Sequence, residues 1–231
     1  MIKGWVRTTL LDYPGKIASS VFLGGCCFRC PMCHNADLVL RPYTLPDIPV
    51  EDVLEHLEQC KGKITGLVVS GGEPCLSPGL PDFLRQARAL GVQLKLDTCG
   101  YLPDVLENLL SEDPVDMVAM DIKAPPAKYS QLAGLAQVDI SRINASIALI
   151  RNSGLAYEFR TTVVSDWITP PDIAAIADWL AGAECYVLQQ FRAQNCLDPG
   201  LNQQSPYPVS MLLKMQSIAG RKIKDVQLRG I

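Results

Sequence analysis

Val21-Phe22-Leu23-Gly24-Gly25-Cys26-Cys27-Phe28-Arg29-Cys30-Pro31-Met32-Cys33-His34-Asn35 carries three cysteines, Cys26, Cys30 and Cys33, at C-x-x-x-C-x-x-C spacing. Thiolates this close can hold three corners of a [4Fe–4S] cube, because thiolate is the ligand such iron sites use. No fourth cysteine follows at a suitable short spacing, so the fourth iron would keep an open position, as catalytic metal sites do. A zinc knuckle is the competing use of the same residues. Zinc normally takes two C-x-x-C-like pairs or a closed Cys–His set. His34 directly follows Cys33 and cannot easily share a metal with it on an extended backbone. Cys27 is a rival ligand, but adjacent residues in extended chain face opposite ways.

Around this stretch the chain runs to 231 residues, 48% hydrophobic and 19% charged, which predicts a globular chain and not a disordered segment and is compatible with one α/β domain. No low-complexity tract, long linker or internal repeat interrupts it, so residues 1–231 read as a single domain. A formal net charge of −3 gives no electrostatic case for nucleic acid or an anionic membrane as partner. No apolar run approaches the roughly 20 residues that span a bilayer. The start, Met1-Ile2-Lys3-Gly4-Trp5-Val6-Arg7, lacks the apolar core of a secretory signal. Nine cysteines in such a chain predict a reducing, cytoplasmic setting, with metal or redox use in place of disulfides.

Apolar runs alternate with amphipathic ones. Segments 20–23, 64–69, 92–96, 115–120, 157–164 and 186–188 read as strands. Between them Val50, Val53, Leu54 and Leu57 form one helical stripe, and Leu80, Phe83, Leu84 and Ala87 another. Pro103 suits the first turn of a helix through Val105, Leu106 and Leu109. Ile143, Ile147 and Ile150 form a further stripe ending at Gly154, as do Ile173, Ile176, Ala177 and Leu180 ending at Gly182. This alternation predicts right-handed βαβ units and a parallel sheet. Six units fall short of the eight of a closed barrel, and periodicity alone does not choose between an open barrel and a doubly wound sheet. In either, the site lies at the C-terminal ends of the strands, where the polar motifs of this chain fall.

Ser70-Gly71-Gly72-Glu73-Pro74 follows the second strand, and paired glycines let backbone approach a ligand closely. Asp97-Thr98-Cys99-Gly100 and Met120-Asp121-Ile122-Lys123 follow the third and fourth. Two carboxylates and a lysine at neighbouring strand ends mark a polar site, although each Asp alone could cap a helix. Arg160 sits inside an otherwise apolar strand and needs an anionic partner: a ligand carboxylate, Glu158 or a barrel Asp. Gln189-Gln190-Phe191-Arg192 ends the last strand with polar groups. His56 reads as a solvated surface residue.

Together these motifs resemble the radical S-adenosylmethionine (SAM) family. The resemblance implies an α/β fold with a partial (β/α)6 TIM-like barrel, one [4Fe–4S] cluster on Cys26, Cys30 and Cys33, and SAM chelated at the open iron. It implies that Gly71, Gly72 and Glu73 shape the SAM site, with the backbone holding the amino group and Glu73 as a brace. Asp97, Thr98 and Asp121 would serve cofactor binding, the carboxylates helping to bind a monovalent cation beside the methionine carboxylate. Lys123 would face the reaction as the catalytic residue, and Arg160, Met32 and His34 would complete the cofactor contacts. Met32 stands where the family usually has an aromatic residue beside adenine, and a thioether can pack on a purine face. Cys99 and Cys75 replace the usual asparagine and threonine.

A narrower resemblance rests on Leu11-Asp12-Tyr13-Pro14-Gly15-Lys16, Cys33-His34-Asn35, Ala119-Met120-Asp121-Ile122-Lys123-Ala124-Pro125, Phe159-Arg160-Thr161-Thr162-Val163 and Leu188-Gln189-Gln190-Phe191-Arg192. These are similar to the activases of glycyl-radical enzymes, in particular to those of anaerobic ribonucleoside-triphosphate reductases, a branch close to the pyruvate formate-lyase activases. The implied reaction is reductive cleavage of SAM by the cluster, with flavodoxin or ferredoxin as electron donor. It is followed by removal of a hydrogen atom from a glycine Cα of the partner enzyme. A small-molecule radical enzyme of the 7-carboxy-7-deazaguanine synthase type and a non-enzymatic metal-binding protein remain the alternatives.

Overall fold

The computed structural model describes residues 1–111 and 115–231, and among these it has eight strands, eight α-helices and four short 3-10 helices. The strands are β1 (Ile2–Thr9), β2 (Ala18–Leu23), β3 (Gly66–Gly71), β4 (Gln93–Thr98), β5 (Met117–Asp121), β6 (Ala156–Val163), β7 (Cys185–Gln190) and β8 (Asp225–Arg229). They follow chain order across one sheet. The β2–β3, β3–β4, β6–β7 and β7–β8 pairs are parallel, and β1 runs antiparallel to β2. The result is an α/β fold with a mostly parallel sheet.

The six strands read from the sequence are β2 to β7, and β1 and β8 lie beyond that reading. Neither shows a clean burial alternation, since both present half-buried and exposed positions along much of their length. The ends also differ from the expectation. β3, β4 and β5 run on to Gly71, Thr98 and Asp121. Parallel pairing carries β3 to its end, with Phe22 opposite Ser70 and Leu23 opposite Gly71. The polar motifs therefore begin on the last residues of the strands, where backbone pairing fixes their direction, and not on loops after them.

Helices fill the connections: α1 (Ala36–Leu40), α2 (Val50–Gln59), α3 (Leu80–Ala89), α4 (Pro103–Ser111), α5 (Tyr129–Ala133), α6 (Ile140–Asn152), α7 (Pro170–Trp179) and α8 (Val209–Ala219). Their buried faces are the stripes seen in the sequence: Val53 and Leu57 on α2, the full Leu80, Phe83, Leu84 and Ala87 set on α3, and Ile143, Ile147 and Ile150 on α6. The short α1 and α5 show too few turns for a period to be read, and α8 was not foreseen. Helix α7 begins with a capping box in which Thr169 and Asp172 satisfy each other's backbone amides, and Lys128 Nζ reaches Asp172 at 2.8 Å. Among the described residues no helix is long and apolar enough to cross a membrane.

The chain forms two compact units. The first comprises Met1–Cys27, Asp37–Ala119 and Arg142–Ala156, and the second Phe28–Ala36, Met120–Ser141 and Tyr157–Ile231. The core of the first includes Leu67, Val69, Leu94 and Leu96 on strands with Phe83 and Leu84 on α3, all at most 1% exposed. Tyr13 of the Leu11–Lys16 segment belongs to it, packed with Ala18, Val68 and Met117. Burial pushes its phenol up to about 12, with the charge of Asp116 adding to the effect. The segment is thus a structural plug in this unit. The core of the second unit gathers the aromatics Tyr129, Phe159, Tyr186 and Phe191.

Candidate active site

In the first unit the Gly-Gly turn at the end of β3 lies against the start of the cysteine loop. Gly72 N donates to Leu23 O at 2.9 Å, and Glu73 N donates to Gly25 O at 2.7 Å. A Cβ on Gly72 would fall on the Gly25 carbonyl, so only glycine permits this approach. The Glu73 carboxylate is fully buried. It accepts from Cys75 N at 3.0 Å, Thr98 Oγ1 at 2.9 Å and Cys99 N at 2.6 Å. It therefore ties the end of β3 to the end of β4. Thr98 is used twice, since its hydroxyl also accepts from Gly100 N at 3.0 Å.

The thiols beside this carboxylate respond to it. Burial and the negative charge of Glu73 push Cys75 well above the usual thiol range. Cys99 is likewise raised, by burial first and then by hydrogen bonding with Cys27, and that same bond lowers Cys27. Two of these three, Cys75 and Cys99, are the positions where the sequence departs from its resemblance, and both are 5% exposed. Asp97, one residue before Thr98, is not bare: Lys95 Nζ lies 2.5 Å from its Oδ1, with the lysine side chain 1% exposed. Lys95 was missed by the sequence reading, although a cation in the apolar run Leu94-Lys95-Leu96 is the same signal that singled out Arg160.

In the second unit Cys30 and Cys33 sit on a turn closed by Cys33 N donating to Cys30 O at 3.0 Å. The turn is held at several points along the backbone. Arg29 N donates to Ala133 O at 2.8 Å, and Gly134 packs its Cα face on the Arg29 carbonyl with φ +67, where a Cβ would collide. Leu197 N and Asp198 N donate to Cys33 O and Pro31 O, each at 2.9 Å. Neither Gly134 nor the 197–198 segment carries a sequence motif that announces this role. Met32 is buried. His34 Nε2 lies 2.7 Å from the Arg192 carbonyl, which selects the Nε2–H tautomer, and its ring stacks on Phe191 with centroids 6.0 Å apart.

Asp121 and Arg160 meet in this same unit. Arg160 Nε donates to Asp121 Oδ1 at 2.8 Å, and Lys123 Nζ to Asp121 Oδ2 at 2.9 Å. Burial works against the carboxylate charge, but Arg160 and Lys123 outweigh it and hold the Asp121 carboxyl well below its usual range. Arg160 also comes within 3.8 Å of Glu158, which is 2% exposed and receives a bidentate pair of bonds from Arg229 at 3.0 and 2.9 Å. Asp121 and Glu158 are thus two protein carboxylates beside Arg160. Arg229 comes from β8, a strand the sequence reading lacked.

The donor chemistry fits an iron–sulfur cluster. All nine cysteines are free thiols. Burial pushes Cys30 up to about 11 while Lys123 pulls the other way, so its proton is one that a bound metal would displace. Among the described residues no three His, Cys, Asp or Glu side chains are arranged for a single metal ion. The cysteine assignment therefore rests on spacing and thiol chemistry. A monovalent cation fits less well, because the carboxylates expected to hold it already carry Lys95, Lys123 and Arg160.

The family model described as "Radical SAM superfamily" matches residues 20–180, and the chain belongs to that superfamily, whose cofactors are a [4Fe–4S] cluster and SAM. It is 29% identical, over 100% of its length and 96% of the other's, to a protein of Methanocaldococcus jannaschii assigned as a glycyl-radical enzyme activating enzyme. It is 34% identical to the pyruvate formate-lyase-activating enzyme of Clostridium pasteurianum, over 49% of this chain and 48% of that one. The Escherichia coli pyruvate formate-lyase 1-activating enzyme is 28% identical over 71% and 68%. Among solved structures, Streptococcus suis SuiB bound to S-adenosylmethionine superposes with a TM-score of 0.67 at 14% identity. The likeness covers 91% of this chain and 51% of SuiB, so this chain spans about half of it. That likeness gives the fold, the partial-barrel α/β core expected from the motifs.

Proposed function

We propose that this chain is an activase that installs a glycyl radical on a partner enzyme. The observation that carries the reading is the end-to-end likeness to the M. jannaschii activating enzyme, in a chain of the radical SAM superfamily. Cys26, Cys30 and Cys33 would hold one cluster, on a loop whose backbone is fixed at Gly25 and again at Arg29 and Cys33. When bound, cluster and SAM supply a one-electron cleavage of the sulfonium and with it the means to take one hydrogen atom from carbon. The chain's own work is binding and orientation. Gly71 and Gly72 would offer backbone to the SAM amino group, Arg160 would present positive charge to its carboxylate, Lys123 would face the reaction, and Met32 would pack beside adenine. His34, held on Arg192 and Phe191, keeps the loop closed behind Cys33. A glycine target lacks Cβ, so its Cα hydrogen can come close to the reacting carbon.

Among partners, an anaerobic ribonucleoside-triphosphate reductase is the first reading, supported by the segments around Tyr13, Asn35, Asp121 and Gln189. A pyruvate formate-lyase-like enzyme is the second, favoured by the names of the relatives. Flavodoxin or ferredoxin would supply the electron, in a reducing cytoplasm suited to nine free thiols. The test is to mix anaerobically reconstituted, reduced protein with SAM and each candidate partner, then record the electron paramagnetic resonance spectrum. A glycyl doublet with one partner establishes the activity and identifies the partner. SAM cleavage without a doublet on any glycyl-radical enzyme of the host, together with consumption of a small nucleotide or pterin, would replace the activase reading by a small-molecule one.

A further inference from the structure

We propose that this protein supplies from its own side chains, above all from Lys95, the positive charge that its resemblance assigns to a bound monovalent cation. The proposal rests on the SAM-binding reading and deepens it. Lys95 lies in the middle of β4, two residues before Asp97, so both side chains leave the strand on one face. Its ammonium is 2.5 Å from Asp97 Oδ1, and the side chain is shut away from water. A buried ammonium is tolerated in a sheet core only with a carboxylate beside it, and Asp97 is placed there by the strand. A potassium ion on Asp97 would have to sit next to this fixed cation and share its acceptor. Within the second unit, Asp121 has both oxygens engaged, one by Arg160 and one by Lys123. Neither carboxylate, taken in its own unit, is an uncompensated charge waiting for an ion.

The consequence is a radical SAM protein whose ligand binding does not depend on the salt cation. Anaerobically reconstituted protein is titrated with SAM in potassium chloride and in tetramethylammonium chloride at equal ionic strength. Thallium(I) binding is followed in parallel by 205Tl resonance, with and without SAM. The expected result is SAM affinity equal in both salts to within about twofold, and no stoichiometric thallium. Lys95→Met should lose about tenfold in SAM affinity in tetramethylammonium, regain most of it in potassium, and acquire a thallium site, since it takes the fixed ammonium away from the Asp97 carboxylate. Lys95→Met combined with Asp97→Asn removes both charges of the pair. It should keep the fold and show neither rescue nor thallium binding. A tenfold loss of SAM affinity in wild-type protein on removing potassium, or a stoichiometric thallium site in it, overturns the proposal. Absence of SAM binding in every salt would defeat the SAM reading itself, while the thallium titration still decides whether the cation is built in.

Discussion

Replacing Glu73 tests the mechanical core of the site directly. Its carboxylate is the acceptor for two backbone amides, Cys75 N and Cys99 N, and for the Thr98 hydroxyl, at a position with no exposure to solvent. In Glu73→Ala the hydroxyl can turn elsewhere, but the two amides are left buried without an acceptor, at about 1–3 kcal/mol each. A destabilisation of about 4 kcal/mol follows, a large share of the roughly 5–15 kcal/mol that holds a domain together. Glu73→Gln keeps the shape and one oxygen, so the bonds at Oε1 survive. Its amide NH2 must then replace Oε2 and face the Cys99 N–H, donor against donor, for about 2 kcal/mol. The assay is urea unfolding of cluster-free protein under reductant, reading the midpoint at constant slope. The ordering wild type, Gln, Ala is the discriminating result. Both variants falling within about 0.5 kcal/mol of wild type would refute the brace, because surface-like tolerance is incompatible with two orphaned buried amides.

Three further outcomes are expected. Alanine at Cys26, Cys30 or Cys33 should abolish iron and sulfide uptake on anaerobic reconstitution, whereas alanine at Cys60, Cys185 or Cys196 should leave about four irons bound; stoichiometric zinc without sulfide would contradict this. Gly134→Ala, which drives a Cβ into the Arg29 carbonyl at positive φ, should cost at least about 2 kcal/mol in urea unfolding and reduce iron retention, while Gly91→Ala, with open space around it, should cost only about 1 kcal/mol. Burial opposes the Asp172 charge, but bonds from Lys128 and Thr169 lower its carboxyl below the usual value, so its contribution is present above about pH 4 and fades as pH falls through the depressed value. Asp172→Asn should therefore lose about 1 kcal/mol at pH 7, after discounting the half-exposed Lys128, and flatten the acid side of a stability–pH curve.

Much of this architecture was legible because the helices obey their period: every predicted stripe on α3 and α6 is buried in place. The strands were legible in existence but not in extent. Ser70-Gly71 and Asp97-Thr98 look like the start of turns, yet parallel pairing and the brace on Glu73 hold such residues in the sheet. β1 and β8 escaped because an edge strand with half-wet positions has no strong period to detect. The cysteine spacing could be read because ligand type and separation follow from the metal alone. The clamps on that loop could not, since Gly134 and the amides of Leu197 and Asp198 act through backbone, and backbone contacts over such separations leave no side-chain signature.

Local rules fail most plainly at Lys95, Glu158 and Arg160, charged residues inside otherwise apolar strands, and those failures share one physical cause. An isolated charge placed in a sheet core costs more than the fold can bear, so each persists only with its counter-charge: Lys95 on Asp97, Arg160 on Asp121, and Glu158 under Arg229. Such pairs rarely add stability over an apolar pair of the same volume. Their presence inside the strands is therefore better explained by what they leave behind after pairing, a set of fixed, oriented dipoles that need not reorganise when a charged ligand arrives. Sequence inspection finds Arg160 by its incongruity and offers Glu158 or a barrel Asp as its partner. It cannot find Arg229, because β8, the strand that brings it to Glu158, is recruited by the fold and not by the local pattern.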